Sequence, residues 1–188
     1  MSNEKLDRRK KYTRMVLKES LMELLKEKPI AAITVKEICE VADINRSTFY
    51  SHFADHYALL AQIEEELIYD LNEYLNQINL NADTEALQIT EKIIEYVAVN
   101  KDVCQILLSE HLDSAFLKRV VTVAHDYTVK SLIDSKNLEE DLSSYASLFA
   151  IYGSIHVIEH WLKNGMDKSP GELAEITTKL TNNGLNGL

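Results

Sequence analysis

Two stretches of the 188-residue chain gather side chains able to bind or react. The first is "INRSTFYSHFADHYALL", residues 44–60, where Arg46, Ser47 and Thr48 are followed by Tyr50, His52 and His56. Cations, hydroxyls and imidazoles at this density suit an anionic partner, because phosphate oxygens accept hydrogen bonds from all of them. Just upstream, Thr34 and Lys36 stand at a helix start, whose free amides favour anions. Arg8, Arg9, Lys10, Lys11 and Arg14 crowd into seven positions near the beginning and can track a phosphate backbone.

The second stretch is "HVIEH", His156 to His160, which satisfies the spacing of a zinc peptidase motif. On a helix the two histidines share a face, as a metal needs. A catalytic site needs a third ligand, and only Glu172 and Glu175 follow within the tail. The two histidines are therefore read as part of a packing helix, with no metal and no cofactor. Cys39 and Cys104 make no metal or redox pattern and read as small core residues. No nucleophile–base pair and no phosphate-cradling glycine loop is found, so an enzyme ranks last among the function classes.

These side chains must be positioned by helices. With two prolines and five glycines, few places force the backbone to break. Val16 or Leu17, Leu21, Leu24 and Leu25 recur at three- and four-residue steps, predicting a helix from about Arg8 to Lys26 closed by Pro29. Thr34 followed by Glu37 is a capping-box pattern opening a short second helix. Asn45 caps a third helix over about 46–53, anchored by Phe49 and Phe53, and Asp55 caps a long fourth one. Further helices are predicted at about Thr84–Val99, Asp102–Ser109, Ser114–Asp134 and Asp141–Asn164, with a last one beginning near Pro170. No alternating strand pattern occurs. The expected fold is all-α, of about nine helices.

Two short helices joined by a tight turn and braced by a longer one form a helix-turn-helix unit, whose second helix can enter a major groove. The charge distribution agrees. Residues 1–60 hold eleven basic and nine acidic residues and net +2, whereas the rest hold nine and twenty-one and net −12, so the negative charge resides in the body. The opening "MSNEKLDRRKKYTR" leads into no apolar run, and "LSSYASLFAIYGSIHVI" is too short and too polar to span a bilayer. A soluble protein of the reducing cytoplasm, with no membrane contact, is expected.

"ITVKEICEVADINRSTFYSHFADHYALL" resembles the DNA-binding domain of TetR/AcrR-type transcriptional regulators over about residues 8–68. The shared pattern is a Thr-led second helix, a tight turn, a "TFYxHF" recognition helix and the opening of helix four. The resemblance implies a DNA-binding head, residues 1–60 with an arm at 1–8, and a helical dimerisation and effector-binding body, residues 61–188. It implies base reading by Arg46, Ser47 and Thr48, and backbone contacts by Thr34, Lys36, Tyr50 and His52, with His56 and the basic residues Arg8 to Lys11 assisting. Two positions depart from the pattern: Asp43 stands where the turn usually has glycine, and His56 where helix four usually has lysine.

The run "IEHWLKNGMDKSPGELAEI" is similar to a TetR-type C-terminal domain common in Firmicutes, which implies a four-helix dimer interface. The residues fit this independently, since a helix apolar nearly all round needs cover on both sides. Leu148, Ile151, Tyr152, Gly153, Ile155, Ile158 and Trp161 are the expected interface. Tyr96, His111, Tyr127, Tyr145 and His156 are amphipathic residues of the body that could line an effector pocket. The expected function is a homodimeric, sequence-specific DNA-binding regulator, a repressor released by a small-molecule effector and bound to a near-palindromic operator in double-stranded DNA. A second reading, drawn from Asp43 and His56, is a co-activator or interaction module acting through a protein partner.

Overall fold

The computed structural model describes residues 2–77, 86–110, 116–122, 124 and 140–185. Among these, every regular element is a helix. They run α1 (Ser2–Leu25), a 3₁₀ turn (Ile30–Ala32), α2 (Val35–Ala42), α3 (Arg46–Tyr50), α4 (His56–Gln77), α5 (Ala86–Val99) and α6 (Lys101–Glu110). A helical segment at 116–122, here α7, precedes α8 (Glu140–Lys163) and α9 (Pro170–Leu185). The predicted 114–134 helix lies largely outside the described residues.

The chain divides into two compact units, Met1–Leu67 and Ile68–Leu188, so the division falls inside α4. In the first unit α1 packs on α2 and α2 on α3. Leu17, Leu21 and Leu25 form the buried stripe of α1, while Ile38, Cys39 and Ala42 face inward from α2. Phe49 is fully buried and lies 5.9 Å from the ring of Phe53, so α3 is fastened by its inner face. Lys18 of α1 pairs with Glu66 of α4, whose other oxygen accepts from Gln62 at 3.0 Å. One difference from expectation lies at the start: α1 begins at Ser2, where residues 1–8 were read as an arm before the helix. The segment has no proline or glycine, and Glu4 with Arg8 and Asp7 with Lys11 stand at the i,i+4 spacing that supports a helix.

In the second unit α5 lies along α9, α6 packs on α8, and α8 on α9. Ile151 and Ile155 of α8 form a core with Leu117 and Val121 of α7. The turn between α8 and α9 explains the "WLKNGM" run. Gly165 (φ 74°) and Met166 (φ 59°) are both left-handed. Met166 N–H donates to the Trp161 carbonyl at 2.8 Å and Gly165 N–H to that of Leu162 at 3.2 Å, a Schellman motif. Trp161 is buried, and its indole N–H donates to the Lys168 carbonyl at 2.9 Å, which locks the far side of the turn. Ser169 and Glu172 then form a reciprocal cap at the start of α9.

Candidate nucleic-acid interface

The site is assembled by four caps. Thr34 opens α2: its hydroxyl accepts from the Glu37 amide at 3.3 Å and donates to the Glu37 carboxylate at 2.8 Å. The second Glu37 oxygen takes the Lys28 ammonium at 2.5 Å. These hydrogen bonds, that of Lys28 first, hold the Glu37 carboxyl down at about 2, so it is charged at any physiological pH. At the other end of α2, Asp43 is left-handed (φ 51°, ψ 44°). Ile44 N–H donates to the Cys39 carbonyl at 3.0 Å and Asp43 N–H to that of Glu40 at 3.4 Å, a second Schellman motif. Asn45 caps α3 by accepting from the Ser47 amide at 3.0 Å, and Asp55 caps α4 by accepting from Ala58 N–H at 2.8 Å.

With Phe49 and Phe53 turned inward, the outer face of α3 carries Arg46, Ser47 and Tyr50, all exposed, with Thr48 half-buried at its flank. Ser47 also donates its hydroxyl to Asn45 at 3.1 Å, so it is oriented by the cap itself. Tyr50 stands edge-on to Phe49, 5.6 Å between centroids, which fixes its ring while leaving the phenol outside. The helix proper ends at Tyr50 and Ser51 to His52 continue as a turn, three residues short of the 46–53 span expected.

The residues expected to hold a phosphate backbone divide. Lys36 is exposed on α2, 3.6 Å from Glu40. Arg8, Arg9, Lys10 and Lys11 are exposed along α1. His56 is half-buried in the first turn of α4, its ring 4.3 Å from that of Tyr57. His52 is half-buried, and burial, followed by the charges of Arg14 and Lys10, pushes its imidazole below the usual 6.5. Thr34 gives its hydroxyl proton to Glu37, beside the first-turn amides of α2. Arg14, the last of the basic cluster, is exposed on α1 as well.

In the second unit the seven expected interface residues part into two sets. Ile151, Ile155, Ile158 and Trp161 are buried by this chain's own residues. Leu148, Tyr152 and Gly153 are exposed. Beside them stand Tyr145, 74% exposed, and Phe149, 75% exposed, with Ile176 and Leu180 exposed on α9. The outward apolar face of α8 is therefore centred on Phe149, a residue the sequence reading passed over.

Among the expected effector-pocket residues, Tyr145 and His156 point outward, and His111 and Tyr127 lie outside the described residues. Tyr96 is half-buried, 5.8 Å from the Tyr74 ring, and burial pushes its phenol up to about 12. Tyr74 donates to Glu95 at 3.0 Å, and Lys92 holds the same carboxylate at 2.6 Å. His156 stands 3.3 Å from Glu159, and His160 is 2.7 Å from Asn164, so each histidine of "HVIEH" has its own neighbour. Cys39 and Cys104 are both buried free thiols, and burial pushes that of Cys104 up to about 12.

Comparison with known proteins agrees with this geometry. Residues 19–63 match the family described as bacterial regulatory proteins, tetR family, and residues 84–183 match one described as transcriptional regulator C-terminal region. An HTH-type transcriptional regulator of Bacillus subtilis, YxbF, is 22% identical over 172 residues, covering 87% of this chain. The chain spans less than half of that relative, 43%. A TetR transcriptional regulator from Streptococcus agalactiae superimposes with a TM-score of 0.70 at 22% identity, covering 93% of this chain and 96% of its own. A regulator from B. subtilis, FadR, solved in complex with stearoyl-CoA, gives 0.67 at 17% identity, covering 89% and 96%.

Proposed function

The chain belongs to the TetR family of transcriptional regulators, and from that premise we propose that it is a homodimeric, sequence-specific DNA-binding repressor working in the cytoplasm. The observation that carries the reading is the outer face of α3. Arg46 and Ser47 at the start of the helix and Tyr50 at its end are displayed on one side, and its inner face is pinned by Phe49. Arg46 suits a guanine edge, and Ser47 and Thr48 suit either base type. Lys36, Tyr50, His52, His56 and the basic face of α1 supply backbone contacts, which set register without reading sequence.

Two copies joined through Tyr145, Leu148, Phe149 and Tyr152 of α8, with Ile176 and Leu180 of α9, would bury an apolar face that is otherwise in water. A two-fold dimer reads half-sites one helical turn apart, roughly 34–36 Å, so the operator is near-palindromic. A small-molecule effector held in the body releases the DNA by preferring the state whose heads do not match it. Selection of bound duplex from a random pool tests the reading. A near-palindromic consensus, bound with one dimer per site, is the expected result. No enrichment, with a folded dimeric protein, would sink it.

The second reading, a co-activator acting through a protein partner, draws on Asp43, whose carboxylate is exposed immediately before α3. Stoichiometric capture of a protein together with no enrichment of DNA would favour it.

A further inference from the structure

The inner stripe of α8 changes character along its length. From Ile151 onward its buried side chains are large, Ile151, Ile155, Ile158 and Leu162, whereas the preceding ones are Ser143, Ala146 and Ser147. Ser143 and Ser147 are both 0% exposed, and among the described residues neither hydroxyl has a hydrogen-bond partner. Other helical hydroxyls of this chain behave differently: Ser20, Thr122, Ser154 and Thr177 each donate to the carbonyl four residues back, at 2.7–2.8 Å. A buried donor left unmade lowers the ratio of folded to unfolded chain by roughly fivefold or more. Two of them stand here one turn apart, with about 5–6 Å between their β-carbons.

The surroundings of the pair are apolar. The stripe meets Leu117 and Val121 of α7, and α6, which packs on α8, has Cys104 and Leu107 buried. Among the described residues of this unit the buried charge is Glu159. It lies three turns beyond Ser147, about 18 Å along the helix, and is held by Lys163 at 2.6 Å. Arg119 stands about half a turn round α7 from both Leu117 and Val121, and so on another side.

We propose that Ser143 and Ser147 are the polar anchors of the effector seat, and that its ligand is an uncharged, mainly apolar molecule whose carbonyl oxygen takes both hydroxyl protons. The inference rests on the reading of the body as an effector-binding unit. A carbonyl oxygen has two lone pairs, one for each hydroxyl. An anion would find no buried cation to meet it, and a plain hydrocarbon would leave both donors unmade. Serine and alanine in place of isoleucine give up the side-chain volume that such a ligand takes. Tyr145 and His156, expected in the pocket from their types, point outward and take no part. Binding forms two hydrogen bonds and no covalent bond changes.

The experiment uses the full chain and has two arms. In the first, Ser143→Ala and Ser147→Ala are compared in thermal unfolding with Ser154→Ala, whose hydroxyl is spent on the Ala150 carbonyl. All three gain the same helix propensity, so the difference between them reports the hydroxyl. The two inner variants should melt above the Ser154→Ala one, by roughly 2–4 °C each. Inner variants melting at or below it would overturn the seat, because the hydroxyls would then be spent on the chain or on a resident water. In the second arm acetophenone, ethylbenzene and benzoate are titrated by NMR; they share a ring and differ in carrying a neutral acceptor, none, or an anion. Acetophenone should bind more tightly than ethylbenzene by roughly fivefold for each hydroxyl. The double alanine variant should bind the two alike, and benzoate should not compete. No binding of acetophenone, tighter binding of benzoate, or a ketone preference that survives in the double variant would overturn the seat. Neither arm uses DNA, so these results leave the DNA-binding reading untouched. Acetophenone that binds through both serines, yet leaves affinity for the selected duplex unchanged, would keep the seat and overturn release by an effector.

Discussion

Replacing Asp43 separates backbone strain from charge at the turn before the recognition helix. Asp43 is left-handed, φ 51° and ψ 44°, and closes α2 through a Schellman motif. An L-residue there carries a penalty of about 1–2 kcal/mol, reduced for Asp and Asn, whereas glycine carries none but gives up about 0.5–1 kcal/mol through greater freedom when unfolded. With the smaller Asp penalty the two terms nearly offset, so Asp43→Gly should stay within about 0.5 kcal/mol of wild type, or within roughly 2 °C in Tm for a chain of this size. Asp43→Asn keeps the tolerance for this conformation and should stay within about 0.5 kcal/mol of wild type. Asp43→Ala, with a β-carbon and no compensating polar group, should lose about 1 kcal/mol. DNA affinity should follow another order. Two charges about 10 Å apart interact by roughly 0.4 kcal/mol in water, and salt screens this further. Removing the carboxylate should thus tighten binding by at most about twofold, equally for Gly, Asn and Ala. Thermal unfolding and anisotropy on the same preparations are the assays. An alanine variant as stable as the glycine one would refute the strain argument. Tighter binding in the glycine variant alone would refute the charge argument.

Glu37 has a folded-state pKa of about 2 against an ordinary 4.5, so its contribution is present above 4.5 and is lost as pH falls towards 2. Glu37→Gln should accordingly lower Tm at neutral pH, and the gap from wild type should close through that window in melts run across pH. Trp161→Phe removes the indole donor from the Lys168 carbonyl, and should cost about 1–2 kcal/mol in denaturant unfolding without altering the helical signal at low denaturant. Phe149→Glu places a charge on the exposed face of α8, and should convert a dimer to a folded monomer in sedimentation. Ile151→Glu, two residues on, should instead destabilise the body itself by several kcal/mol, because that side chain is buried within one protomer.

The head was legible because its instructions are local. Thr34 with Glu37, Asn45 before Arg46 and Asp55 before His56 each satisfy amides within three residues, so cap, helix and turn follow from neighbouring letters. Phe49 and Phe53, four apart, then decide which face of α3 is hidden, and the remaining face is the candidate site. What the letters did not disclose is contact between distant segments: Lys18 of α1 pairs with Glu66 of α4 although forty-eight residues separate them. The Thr34 hydroxyl is occupied by local partners instead, since Glu37 takes its proton and Lys28 holds the other oxygen of that carboxylate.

α8 shows the opposite limit, where pattern exists but misdirects. Its buried stripe runs through Ser143, Ser147, Ile151, Ile155, Ile158 and Leu162, and opens with two fully buried serines. Its outer face carries Tyr145, Leu148, Phe149 and Tyr152. Hydrophobicity is thus as high on the side turned to water as on the side turned to the core, and periodicity has no contrast from which to choose between them. Such an inversion carries its own information. A helix that spends serines on its inner stripe and aromatics on its outer one is poorly explained by the stability of a single chain, because the aromatic face gains nothing until it is covered. The composition of α8 therefore supports the proposed assembly, and Phe149 with its exposed neighbours is the face that such an assembly would cover.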